Sequence, residues 1–404
     1  IVLGTLGTPD LLPPVVGFSN GPELASWRLR STIEAAIRAE RTVGDRRAGA
    51  AAQLVRLAAP VTTGGQGPLL RAGLPAILFS TTGDRVAPAE LRPTEERLDA
   101  DGRAVLTSII AIDNAGPVDL KPEQNLAAAD GIIPGWALRV IVLALLIPPA
   151  LLIVDGLARA NRERQKVGRW VVWTLLLAVP QLLGIGAVAL ADAVGWTNLP
   201  DGPIDPAVWD GDITPLAIFV AVCVVGHLAL RPLVLFLLGL RGQKSAAPGA
   251  PLGFALVLEI TALATWAINP AAAAMMVPAV LLWPVVLDAG MRPPKVWAFL
   301  GVLVGLAPLG LLLANLLTRY PLGDVSSSAS WFVALLSGGD VGLFPQLWFS
   351  VLGGCSIAAV LISRHGRFTL PGDVVPDEGP SVRGPAGYAG PGSLGGTSSA
   401  LDRG

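Results

Sequence analysis

The chain has 404 residues, of which 52% are hydrophobic and 15% charged, with a formal net charge of −1 and a mean hydropathy of +0.61. That balance leaves no basic surface for nucleic acid. Two cysteines, Cys223 and Cys355, both inside apolar runs, exclude a disulfide framework or zinc-finger spacing. Arg outnumbers Lys, and Ala, Gly and Pro are abundant, which suggests a GC-rich genome.

The chain opens at Ile1 without an initiator Met or a signal-peptide pattern, and it reads as a fragment whose beginning lies upstream. Strand-like and helix-like segments alternate through residues 1–131. Ile1-Val2-Leu3 is a short apolar strand running into Gly4. Glu23 to Arg41 has helical periodicity, with Leu24, Trp27, Leu29, Ile33, Ala36 and Ile37 on its apolar side. Ala51 to Leu57 is a second helix, and Leu74 to Ser80 reads as a buried strand. Asp99 to Ile112 is a third helix, with Asp99 and Asp101 as its N-cap and first-turn acids. The alternation predicts an α/β layer fold of which this region is a part, with further strands upstream of Ile1. Ser80-Thr81-Thr82 follows a strand, but residues 1–131 hold no His to act as a base, so turn chemistry explains the hydroxyls. Gly64-Gly65-Gln66-Gly67 is not a phosphate-binding loop, because no Lys-Ser/Thr follows it.

The run Gly64-Gly65-Gln66-Gly67-Pro68-Leu69-Leu70-Arg71-Ala72-Gly73-Leu74-Pro75-Ala76-Ile77 resembles the closing motif of the M28 family of zinc aminopeptidases. Ile1-Val2-Leu3-Gly4-Thr5-Leu6-Gly7 resembles that family's strand ending in Asn-Leu-Asp-Met-Ile-Gly. The resemblance covers roughly residues 1–115 and implies the carboxy-terminal half of an α/β/α peptidase domain. It places a zinc-ligating Asp where this chain has Gly4 and a zinc-ligating His where it has Gln66. Gly offers no ligand and a Gln amide is a poor one. The resemblance therefore implies a peptidase-like domain without metal or other cofactor, whose relic pocket is lined by Gly4, Thr5 and Gln66. The alternative alignment has Asp10, Glu23 or Asp84 supplying a ligand.

From residue 132 to 363 the chain is a series of long apolar runs. About 20 residues of helix cross ~30 Å of hydrocarbon, and about seven runs qualify: 134–156, 169–192, 213–240, 252–268, 270–289, 296–318 and 341–363. The fourth and fifth meet in a tight turn at Asn269-Pro270. Ser326 to Leu336 is too short to span and reads as an interfacial segment anchored by Trp331 and Phe332. Alternate connections are cationic: Arg159, Arg162, Arg164, Lys166 and Arg169 in the first, then Arg241 and Lys244, Arg292 and Lys295, and finally Arg364, His365 and Arg367. The others are acidic, with Asp201, Asp205, Asp210 and Asp212 in one and Asp324 and Asp340 in another. The bias puts the cationic connections in the cytoplasm and residues 1–131 outside. Within the runs, His227 and Arg231 lie four apart, and Glu259 falls at a depth similar to Arg231. They read either as a structural Arg231–Glu259 ion pair with His227 beside it, or as a proton, anion or substrate site. Asp155, Asp192 and Asp288 fall near run ends and read as solvated.

Residues 364–404 are rich in Gly, Pro and Ser, a composition that predicts a disordered cytoplasmic tail. The whole reads as a partial α/β region (1–131), an all-α polytopic bundle (132–363) and a tail. That architecture resembles Gaa1-type subunits of the GPI transamidase and membrane-bound M28 metallopeptidases. By that resemblance the chain is a non-catalytic scaffold of a bacterial plasma membrane. Its partners would be membrane lipid, an envelope peptide or precursor, and other membrane proteins. An active tethered aminopeptidase with ligands upstream, and a transporter, are the alternatives.

Overall fold

The computed structural model describes residues 1–41, 49–116, 119–128, 131–209, 212–237, 249–287, 294–320, 324–338 and 342–365. The amino-terminal region contains β1 (Val2–Leu3), β2 (Val15–Val16), α1 (Trp27–Glu40), α2 (Ala50–Ala58), α3 (Gln66–Arg71), β3 (Leu78–Phe79), α4 (Glu95–Asn114), β4 (Leu126–Ala128) and β5 (Gly131–Ile133). The first three strands make a sheet of order β1-β3-β2, with β1 parallel and β2 antiparallel to β3. Ile77 and Phe79 pack with Leu29, Ile33 and Ile37 of α1 and Ala104 of α4. Leu78, pointing the other way, packs with Leu57 and Ala58 of α2. Burial on both faces is why this strand reads as a continuous apolar run.

Two expectations shift here. α1 starts at Trp27, with Ser26 Oγ accepting from Leu29 N at 3.3 Å. Leu24 is outside it because its backbone is already paired with Glu123. α4 begins at Glu95 with Thr94 as N-cap, so Asp99 and Asp101 lie past its first turn. Asp101 is buried: its Oδ2 accepts from Gly7 N at 2.8 Å and its Oδ1 lies 3.3 Å from Arg41 Nε. Its role is to tie α4 to the loop after β1, while Glu95 and Glu96 supply the first-turn acids.

The rest is helical: α5 (Gly135–Arg162), α6 (Val167–Leu176), α7 (Val179–Ala193), α8 (Thr214–Leu237), α9 (Ala250–Ile268), α10 (Pro270–Leu287), α11 (Lys295–Arg319), α12 (Val325–Ser337) and α13 (Leu343–His365). Counting α6 and α7 as one bent span kinked at Pro180, seven helices among the described residues are long and apolar enough to cross a bilayer. The chain is a multi-pass membrane protein. Close approach fixes some of the packing: a Cβ on Gly253 of α9 would lie 2.7 Å from Trp170 Cβ of α6. Asn269 closes the α9–α10 turn, its Oδ1 accepting from Ala271 N at 3.0 Å and Ala272 N at 3.1 Å.

α12 does not span, but its anchoring differs from expectation. Trp331 is 2% exposed, its ring 5.5 Å from that of Tyr320, and its Nε1 donates to Ile204 O. Phe332 packs edge-to-face on Phe349 of α13. Both aromatics contact protein, because the 194–209 connection and the end of α11 fold over this helix.

The amino-terminal region caps one end of the bundle. Gln53 of α2 exchanges hydrogen bonds with the backbone of Ala127 in β4, and Asn125 receives Gly135 N at the start of α5. Asn269 Nδ2 donates to Leu57 O at 2.8 Å. Val16, Phe18, Leu57 and Leu78 run without a break into Ala271, Ala272 and Ala273 of α10, forming one apolar cluster. Arg162 ends α5, 27 residues beyond Gly135 and about 40 Å away, so it lies at the opposite end. Asp155 there pairs with Arg159 in solvent, and Asp192 accepts from Leu199 N. Asp210, Arg241, Lys244, Asp288, Arg292, Asp340, Arg367 and the 366–404 tail lie outside the described residues.

Asn269→Ala removes two cap bonds and the bond to Leu57. It should lower stability by about 1–3 kcal/mol, read as a reduced midpoint of thermal unfolding in detergent.

Candidate functional site at the junction of the amino-terminal region and the bundle

The chain leaves β3 through Ser80, Thr81, Thr82 and Gly83. Thr81 Oγ1 lies 2.6 Å from Thr8 Oγ1, Thr82 Oγ1 donates to Arg85 O at 2.8 Å, and Gly83 adopts φ +67°. The hydroxyls hold the turn, as their sequence context predicted. The turn delivers Asp84 to the bundle, where its side chain is 1% exposed. α2 brings Arg56, and the end of α11 brings Arg319 and Tyr320.

Four donors converge on Asp84 Oδ2: Arg56 Nη2 at 2.7 Å, Arg319 Nη2 at 2.7 Å, Thr62 Oγ1 at 2.9 Å and Tyr320 Oη at 3.4 Å. Arg319 Nη2 also donates to Val61 O at 3.0 Å. The Arg56 guanidinium lies over the Phe18 ring, 3.8 Å from its centroid. Burial alone would raise the Asp84 pKa. The two guanidinium groups and the Thr62 hydrogen bond more than offset it, bringing the carboxyl down to about 2. Burial lowers Arg56 to about 10, with Asp84 opposing the shift. Burial, followed by the Asp84 charge, pushes the Tyr320 phenol above its ordinary value. The network has two cations for one anion. The Arg56 Nε and the Arg319 Nε and Nη1 are buried without hydrogen-bond partners among the described residues.

Of the sequence-predicted pocket residues, Gly4 is exposed, Thr5 is half-buried and Gln66 is fully buried. Gly4 N donates to Phe79 O at 2.9 Å, and Thr5 O accepts from Thr81 N at 2.9 Å. Leu78 fills the space between Gly4 and the Gly64 corner. A Cβ on Gly4 would lie 3.2 Å from Leu78 Cδ1, and one on Gly64 would lie 2.8 Å from Cδ2. Gln66 Nε2 donates to Phe18 O at 3.2 Å and Thr62 Oγ1 at 3.0 Å, so Gln66 is one hydrogen bond removed from Asp84. The structure thus assigns Gln66 to the junction network and does not bring it to a common surface with Gly4 and Thr5. These positions do not gather a zinc ligand set: Gly4 has no donor and is exposed, while Gln66 is buried, its Nε2 on the protein and its Oε1 without a partner among the described residues. Of the alternative ligands, Asp10 pairs with Arg41 at 2.9 Å and Asp84 is engaged as described. Among the described residues, no three His, Cys, Asp or Glu side chains are grouped to hold a metal.

Within the bundle, Glu259 is 3% exposed, and neither carboxylate oxygen meets a hydrogen-bond partner among the described residues. The expected Arg231–Glu259 pair involves a side chain outside the described residues. α8 lies against α7, α12 and α6, α9 lies against α10, α6, α5 and α13, and α6 stands between them. His227 is half-buried beside a small cleft at the Pro180 kink, lined also by Trp173 and Leu230. Sequence reasoning missed Arg56, Thr62, Arg319 and Tyr320. Nothing local marks them except an Arg at the very end of a span.

No protein-family model matches the chain, and no curated protein is significantly similar to it.

Asp84→Asn leaves two buried guanidinium groups without a counter-ion and should cost about 3–5 kcal/mol, measured by denaturant unfolding in detergent. Because the folded carboxyl titrates near 2, below its ordinary value of 3.8, its stabilisation is complete above about pH 4. It is lost as pH falls through 2, amounting to about 2 kcal/mol. Stability measured from pH 5 down to pH 2 should fall more steeply in the parent than in the Asp84→Asn variant.

Proposed function

We propose that the chain is a non-catalytic scaffold of a bacterial plasma membrane. In this reading the amino-terminal region is outside, and an M28-like peptidase domain without metal holds an envelope peptide or precursor against the bilayer. The observation that carries the reading is the Asp84 junction. Gln66, the position where the family resemblance calls for a zinc-ligating His, is committed to a network that bolts the region onto α11. A domain fixed this way presents whatever it holds at a constant height over the membrane, which suits presentation to a partner membrane protein better than turnover.

The cationic connections support the orientation. Arg159, Arg162 and Arg164 lie at the end of the bundle away from the amino-terminal region, as a cytoplasmic face requires. Trp136 and Trp196, both exposed near the capped end, fit an aromatic belt at the outer interface, and Trp297 fits one at the inner interface.

Two measurements test the proposal. Metal analysis of the full-length protein should find no stoichiometric zinc, and assays should find no aminopeptidase turnover; zinc together with turnover would establish the tethered-enzyme alternative. A cysteine placed at Trp196 should react with a membrane-impermeant thiol reagent applied to intact cells, and one placed at Arg162 should not. The reverse pattern contradicts the orientation.

A further inference from the structure

Glu259 sits in the middle of the membrane. It lies ten residues before Asn269, where α9 ends at the capped face, hence about 15 Å deep, half of a ~30 Å hydrocarbon core. Its direction follows from the contacts on either side. Leu252 lies against Gly156 of α5, where a Cβ would be 2.9 Å from Leu252 Cδ1. Trp266 Nε1 donates to Arg139 O of α5 at 2.8 Å. Glu259 is seven residues from both Leu252 and Trp266, so it shares their side of α9. The antiparallel register sets it opposite Leu146–Pro149 of α5.

That stretch of α5 is itself unusual. Pro148 and Pro149 lie inside the helix and have no N–H, so the carbonyls of Ala144 and Leu145 lack their ordinary helical donors. Pro149 and Leu146 are on the buried face. Ala144 is on the exposed face of α5, but the Leu145 carbonyl borders the buried one, so one level of the bilayer gathers two carboxylate oxygens without partners among the described residues and one proline-freed carbonyl. Every one of these groups is an acceptor.

Among the described side chains no cation balances them. Arg139 is near the capped end, two turns away, with its Nη2 on Gln124 Oε1. Asp155 and Arg159 pair with each other toward the far end. On α6, Arg169 is exposed at the far end, and α10 carries no titratable residue between Pro270 and Leu287. On α13, Cys355 is buried, and Arg364 and His365 close the far end of the helix. A buried carboxylate without a counter-charge in hydrocarbon must be neutralised.

We propose that Glu259 and the proline-freed Leu145 carbonyl of α5 form an intramembrane site for a single monovalent cation, either sodium or a proton. This goes beyond the scaffold reading, which stands or falls on the amino-terminal region.

The test uses the purified full-length protein in lipid nanodiscs and dicyclohexylcarbodiimide, a lipid-soluble reagent that attacks protonated carboxyl groups and converts them to an N-acylurea. Modification is read by peptide mass spectrometry. Glu259 should be modified, and modification should fall at least severalfold as pH is raised. A further severalfold fall on adding sodium, absent when potassium is added at equal ionic strength, assigns the site to sodium. A fall with pH alone assigns it to the proton. Failure of Glu259 to react, or reaction indifferent to both pH and sodium, overturns the proposal. Glu259→Gln should lose the modified peptide, and if that variant does not fold, the protection pattern of the unaltered chain still decides.

Discussion

One buried carboxylate organises the junction between the two halves of this protein. Asp84 is drawn out of water only because Arg56 and Arg319 come with it, from helices 28 residues before and 235 residues after it. Taking three charges out of solvent is expensive, and such arrangements contribute little net stability compared with apolar packing. Their effect is on geometry. With Asp84 in place, the turn after β3, the α2 helix and the end of α11 have one arrangement in which both guanidinium groups reach the carboxylate, and other dockings leave Asp84 without them.

The apolar contacts around it supply the adhesion. Leu57, Ala58 and Leu78 continue into the alanine-rich start of α10, where small side chains let α2 lie close to the membrane helices. The polar network then sets register on a surface that apolar contact alone would leave free to slide. The same division holds inside the bundle, where Gly253 against Trp170 sets the spacing of α9 and α6. The exception is Glu259, a charge-bearing side chain without a hydrogen-bond partner among the described residues.

The membrane spans were legible in the sequence because the requirement is one-dimensional: about 20 apolar residues in a row. Asn269-Pro270 was legible as a turn for the same local reason. The strands were only partly so, since β1 and β3 were found but the two-residue β2 carries no pattern of its own. Asp101 was misread because an acid near the start of a helix ordinarily caps it, and only the tertiary neighbour Gly7 N reveals its role. Arg319 ends a span as a solvated snorkelling residue would. Its true environment depends on a partner 235 positions away, which no periodicity or spacing can report. Gln66 was flagged by resemblance, and its packing gives it a different task from lining a pocket.

The most direct test of this account is a double-mutant cycle on Asp84→Leu and Arg319→Met, with Arg56 unchanged in all four proteins and stability read by reversible unfolding in detergent. Direct coupling through the buried bridge predicts a double variant that loses about 2 kcal/mol less than the sum of the single losses. Strict additivity would show that the two side chains do not hold the amino-terminal region to the bundle.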